Sequence, residues 1–270
     1  MKIVSRALVA LVAGVTVLSP SNIRAQATDD PPSRIFSDGE ELVYNVRYTF
    51  IDLGQIRVKT IGKTRQATFV AYDAKAYIDS YKGIPFVDLH AVFESRVDSA
   101  VYSHDFVGKV KQDNQWDFAR YHFDYDGRRV LMEMGRQDTV VAKRETLQVN
   151  GAHQDGLSLF FFARDQLFSG KKVNIPCVVK EQRVNTYIDF YKERTSVEVD
   201  AIDYPVDVVK FEGNAEFEGI YGLTGGFTGW FSHDEARVPI LAKMRVIVGS
   251  VTIELMKWSR QGWTPPRGSG

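Results

Sequence analysis

The sequence predicts a mainly β protein, a curved antiparallel sheet forming an open barrel or sandwich with one helix inserted at about residues 156–168. Three observations carry this. Short segments of alternating polarity recur along the chain, turn residues separate them, and one segment has the all-round apolar character of a covered helix. Alternating βα units, which signal a parallel sheet, are missing from the pattern.

Residues 41–50 begin the folded part. Leu42, Tyr44, Val46, Tyr48 and Phe50 fall on one face of an extended chain, with Glu41, Asn45, Arg47 and Thr49 largely on the other. Strands of the same kind are expected at 55–61, 68–78, 90–97, 101–111, 116–125 and 130–134, with Asp52-Leu53-Gly54 and Asp126-Gly127 as punctuation. The pattern resumes at 172–179, 183–192, 196–202, 206–218, 226–233, 240–248 and 251–258.

Between these two series lies the helix. Asp155 is placed as its N-cap, and Ser169-Gly170 ends it. At the helical repeat Leu157, Phe160, Phe161, Leu167 and Phe168 gather on one side, while Leu159 and Phe162 occupy much of the other. A helix of this kind needs cover on both sides. Arg164 projects into the main apolar stripe, where a guanidinium is costly unless paired, so it calls for a carboxylate or a cluster of carbonyls.

At the start, Lys2 and Arg6 precede an apolar run from Ala7 to Leu18, followed by Ala25-Gln26-Ala27. This is the layout of a signal peptide over residues 1–27, cleaved after Ala27. The run is shorter than the roughly 20 apolar residues a membrane span needs. With no cysteine near the cleavage point to take a lipid, the expectation is a soluble periplasmic protein with no transmembrane span in the mature chain. Residues 28–37 read as a flexible leader, 38–260 as a single mainly-β domain, and 261–270, with Pro265-Pro266 and Gly268-Ser269-Gly270, as a flexible tail.

Composition narrows the function. With 44% hydrophobic and 25% charged residues the 270-residue chain can bury a core, and is neither a mainly disordered chain nor a multispanning one. Equal totals of 34 basic and 34 acidic residues give no electrostatic footprint for nucleic acid. The single cysteine, Cys177, has no intrachain partner and sits in an apolar run, as a small buried hydrophobe would.

No P-loop, dinucleotide fingerprint, HExxH or paired CxxC occurs, so no cofactor is expected. Ser158 lacks the G-x-S-x-G context of a nucleophile elbow. His122, Asp124 and Asp126 alternate and are a weak metal candidate, a solvated strand face being the simpler account. His233-Asp234-Glu235 follows an aromatic strand and is the candidate acid and base of a hydrolase; a turn held by Asp234 with an ion pair of Arg237 explains the same residues. Tyr221, Phe227, Trp230 and Phe231 cluster near glycine and are the candidate ligand-binding residues, able to line an apolar lumen or stack on sugars. The core of a curved sheet also uses such residues.

Several spaced elements resemble the exported domain of unknown function 3108 family. They are Gly39-Glu40-Glu41-Leu42-Val43-Tyr44 with Gly54, then Phe93-Glu94-Ser95-Arg96-Val97-Asp98-Ser99, then Asp155-Gly156-Leu157-Ser158 with Arg164. The closing block is Trp230, Asp234, Arg237-Val238-Pro239 and Gly249-Ser250, so the likeness spans about Ser37 to Lys257. The resemblance implies a Gram-negative-type envelope protein with a curved antiparallel sheet, similar in architecture to lipoproteins tied to capsule export. The family has no established reaction, so Asp155, Arg164 and Arg237 carry over only as structural landmarks.

Together these readings favour a non-catalytic periplasmic factor that holds a lipid-like or glycan ligand, or docks an envelope assembly protein. The alternatives are an envelope hydrolase using His233 with Asp234 or Glu235, and a scaffold that pairs through an exposed sheet edge.

Overall fold

The computed structural model describes residues 34–84, 88–112, 114–217, 225–245 and 249–268. The expected signal peptide, residues 28–33 of the expected leader, and Tyr221 lie outside the described residues.

Fourteen strands form one antiparallel sheet. The first series is β1 (Glu41–Tyr48), β2 (Ile51–Arg65), β3 (Val70–Ser80), β4 (His90–Val97), β5 (Ser103–Gln112), β6 (Gln115–Asp124), β7 (Arg129–Arg136) and β8 (Val140–Gln148). Helix α1 (Ser158–Gln166) follows. The second series is β9 (Lys172–Val179), β10 (Gln182–Val199), β11 (Ile202–Ala215), β12 (Gly225–Ser232), β13 (Pro239–Arg245) and β14 (Ser250–Ser259).

Sequence neighbours pair within each series, and β14 pairs with β1 to join the two series at the middle of the sheet. The outermost strands, β8 and β9, are therefore consecutive in the chain. To pass from one edge to the other the chain crosses the sheet, and α1 is the crossing.

Phe161 and Leu167 are fully buried, with Leu157, Phe162 and Ala163 nearly so, which accounts for the helix being apolar on most sides. Their core includes Leu42 and Tyr44 of β1, Val58 of β2, Tyr72 of β3, Phe190 of β10, Phe211 of β11, Phe231 of β12 and Leu255 of β14. Strands from both series thus wrap around one helix. Each fully buried Leu or Phe contributes about 1.5–3 kcal/mol relative to exposure.

The tip of the β9–β10 hairpin helps to close the curve. Lys180 and Glu181 both have positive φ, as a tight two-residue turn requires. Val178 packs into a cluster with Phe106, Tyr121, Phe123, Val130 and Met132, and Tyr121 Oη donates to Glu181 Oε1 at 2.9 Å. Along β9's outer edge, Gln154 N–H donates to Pro176 O and its carbonyl accepts from Val178 N–H. The outer edge of β8 carries Lys143, Arg144 and Glu145, charges that discourage pairing with another strand.

Two glycines shape the inner wall. A Cβ on Gly213 would lie 2.2 Å from the Phe227 ring, and one on Gly229 would lie 2.2 Å from the Phe211 ring. Only a bare backbone lets these rings lie flat across β11 and β12.

The structure amends several expectations. There is one open sheet, so the sandwich alternative falls away. Phe50 lies beyond the end of β1 and is 84% exposed, because the chain turns after Tyr48. Strand β8 was not expected, and the segments expected at 183–192 and 196–202 are one strand, β10, with a register shift between Phe190 and Arg194. The helix starts at Ser158, later than expected, and Phe168 at its end is 39% exposed.

Both flexible ends also need correction. Ile35 and Phe36, placed in the leader, are buried; Phe36 stacks against Tyr72 at 4.6 Å and Phe161 at 4.7 Å. Residues 261–268, placed in the tail, dock along β11. Asp207 N–H donates to Pro266 O at 2.9 Å, Gly268 N–H to Pro205 O at 2.8 Å, and Tyr204 Oη to Pro265 O.

Candidate functional site

A cavity of about 320 Å³ lies between α1 and the inward face of the sheet. Ligand pockets start at about this size, on the order of 300 Å³. Leu159, Phe160 and Ala163 of α1 form one wall; Ile56, Val58 and Ala76 of β2 and β3 form another. Phe211, Phe227, Phe231, Met244 and Ile253 of β11 to β14 complete it. The lining is apolar because each strand places alternate residues inward and those positions carry aliphatic or aromatic side chains.

Two lining residues carry hydroxyls, Tyr44 and Thr228. Tyr44 lines the cavity and is 3% exposed, and its hydroxyl has no hydrogen-bond partner. Burial pushes its phenol well above the ordinary value, so Tyr44 is a neutral donor at any physiological pH. An unpaired buried donor costs about 1–3 kcal/mol.

Of the residues expected to bind ligand, Phe227 and Phe231 line the cavity. Trp230 does not, because its neighbours on β12 take the inward positions; instead Lys243 Nζ sits 6.0 Å from its ring. The other lining groups, above all those of α1 and β2, were missed by a reading that looked for aromatic clusters.

A second cavity of about 460 Å³ lies between β4 to β6 and the β9–β10 tip. Phe106, Ala119, Tyr121 and Val178 line it together with Gln112, Asp117, Lys180 and Glu181. Phe93, Gly156 and Phe217 border both cavities.

The candidate catalytic residues do not assemble as proposed. His233 Nδ1 faces Asp207 Oδ2 at 3.2 Å, and neither Asp234 nor Glu235. Asp207 also takes Arg194, and although burial opposes it, these partners hold its carboxyl below the ordinary value. Asp234 closes a turn: Oδ1 accepts from Ser232 Oγ and Arg237 N–H, and Oδ2 from Trp263 Nε1. Glu235 pairs with Arg34 at the surface. Among the described residues Arg237 makes no ion pair; its Nη1 donates to the carbonyls of Arg164 and Asp165 at the end of α1.

The metal candidate also separates. His122 Nδ1 faces Asp105 at 2.8 Å, while Asp124 receives Gly127 N–H and Arg129. Among the described residues no group of three His, Cys, Asp or Glu is placed to hold a metal ion. Cys177 is fully buried, and burial pushes its thiol up to about 12.

The profile of the family described as "Protein of unknown function (DUF3108)" matches residues 43–256. The chain belongs to that family. No curated protein matches it. A solved structure similar to this chain is a beta-barrel-like protein of domain of unknown function DUF1849 from Brucella abortus. It is 10% identical, with a TM-score of 0.59 over 85% of this chain and 100% of that one, a likeness of fold.

In this DUF3108 domain the three landmarks all secure α1. Asp155 Oδ1 receives Leu157 N–H and Ser158 N–H, while Oδ2 receives Ser95 and Ser103 hydroxyls at 2.6 Å each. It thus caps the turn leading into the helix and ties it to β4 and β5. Burial raises its carboxyl above the ordinary value against the pull of these donors. Arg164 pairs with Glu40 through Nη1 and Nη2 and donates to Ala236 O at 2.8 Å. Arg237 donates to the Arg164 and Asp165 carbonyls at the helix end. With both flanks tied, α1 forms a fixed roof over the apolar cavity.

Proposed function

We propose that this protein is a non-catalytic carrier or assembly factor of the cell envelope that holds a lipid-like ligand between α1 and the sheet. The observation that carries the reading is the apolar cavity, of a size suited to a small ligand. A ligand with a long apolar body gains burial against this wall. A glycan would have to bury many hydroxyls against a wall that offers few partners.

Export to the periplasm belongs to the same reading and rests on the basic and apolar pattern before Ala27. No helix of the described residues is long and apolar enough to cross a membrane.

The test is uptake of N-phenyl-1-naphthylamine, a neutral apolar dye that fluoresces when it leaves water. The full chain is expected to bind it with saturation, and Ala242→Phe, which fills the cavity from β13, to reduce that binding. Absence of saturable uptake by the folded protein rejects the reading.

A further inference from the structure

Resting on the apolar-ligand reading, we propose that the two cavities are one continuous site for a single-chain amphiphile of the monoacylglycerol type. Its acyl chain occupies the apolar cavity and its hydroxyl-bearing head the second.

Three observations lead there. Phe93, Gly156 and Phe217 border both spaces, so the cavities adjoin each other. Gly156 lies on the border they share. It is exposed although Asp155 and Leu157 beside it are buried, and a Cβ added to it meets nothing within 4 Å.

The third observation is the change in lining across that border. The first cavity is almost wholly apolar, whereas the second adds Gln112, Asp117, Lys180 and Glu181. An elongated ligand lying through Gly156 would meet grease at one end and polar groups at the other, which selects an amphiphile over a hydrocarbon.

The head chemistry follows from the acceptors. Asp117 and Glu181 outnumber the one lysine of that lining, and ionised carboxylates only accept hydrogen bonds. Asp117 is paired with Arg136 at 3.2 Å, and Glu181 accepts from Tyr121. Each retains acceptor capacity for a donor, since a carboxylate offers about four lone-pair sites. Hydroxyls can donate to these carboxylates, whereas an ionised fatty-acid head offers them no donor.

The experiment measures binding of 1-monopalmitoylglycerol, palmitate and N-phenyl-1-naphthylamine to the full chain and to two variants. Gly156→Phe places a ring on the shared border; Ala119→Leu fills the head space from β6 and leaves the turn before α1 untouched. Folding of each is checked by circular dichroism. The full chain should prefer monopalmitoylglycerol over palmitate about tenfold, the scale of one hydrogen bond to a charged group. Each folded variant should weaken monopalmitoylglycerol by about tenfold, and Ala119→Leu, which lies outside the apolar cavity, should keep the dye. Equal affinity for the two amphiphiles, or unchanged monopalmitoylglycerol binding in the folded variants, overturns the two-cavity site even where the dye binds. Failure of the dye to bind the wild-type chain instead removes the underlying apolar-ligand reading.

Discussion

Glu40 and Arg164, 124 positions apart, form a two-pronged ion pair with both side chains almost completely removed from water, at 2.6 and 3.2 Å. Glu40 immediately precedes β1 and Arg260 immediately follows β14, so the pairing of β1 with β14 brings Arg260 onto the same carboxylate. One glutamate thereby fastens the helix to the seam between β1 and β14.

Removing the shared carboxylate leaves two guanidiniums without their counter-charge. Glu40→Gln is expected to cost about 3–5 kcal/mol, the range for breaking a buried pair. Arg164→Met should cost less, since Glu40 keeps Arg260. Urea unfolding of both variants checks the order.

The same pair sets an acid limit. Burial alone would raise the Glu40 carboxyl, yet Arg164 and then Arg260 outweigh it and hold it below its ordinary value. An unfolded glutamate titrates near pH 4.3, about the level above which the pair's contribution is complete. It is lost as pH falls through the lower folded value. Melting temperatures from pH 6 down to 3 should therefore fall more steeply for the wild type than for Glu40→Gln.

Gly229 should not tolerate a side chain. Gly229→Val drives its branch into the Phe211 ring and is expected to cost about 1–3 kcal/mol through overpacking. Because Phe211 lines the apolar cavity, dye uptake should fall as well. Thermal melts alongside fluorescence titration measure both effects.

Tyr121→Phe removes the hydrogen bond from β6 to the hairpin tip, at an expected cost of about 1 kcal/mol. Hydrogen exchange should speed up at residues 178–182 and leave α1 unchanged.

Much of the fold was legible because strands with one wet face alternate in polarity. β8 was not, because an edge strand exposed on both faces, such as Val140-Val141-Ala142-Lys143, has no alternation to read. Arg164 announced its need for a partner, but nothing local identifies Glu40. The Pro- and Gly-rich tail reads as loose because its docking depends on backbone groups and on Trp263 reaching Asp234. Phe227 and Phe231 emerged as site residues from composition, whereas Trp230 between them shows that clustering in sequence ignores which face a side chain takes. The histidine of the proposed dyad found Asp207, 26 positions away, instead of its immediate neighbours.

The central claim is that the space under α1 holds a lipid. Native mass spectrometry of the full chain, purified without detergent from the cells that make it, tests this most directly. The account predicts a stoichiometric adduct with the mass of a single-chain lipid, lost when Ala242→Phe fills the space. A bare polypeptide mass from both proteins, with no lipid in the organic extract, would contradict it.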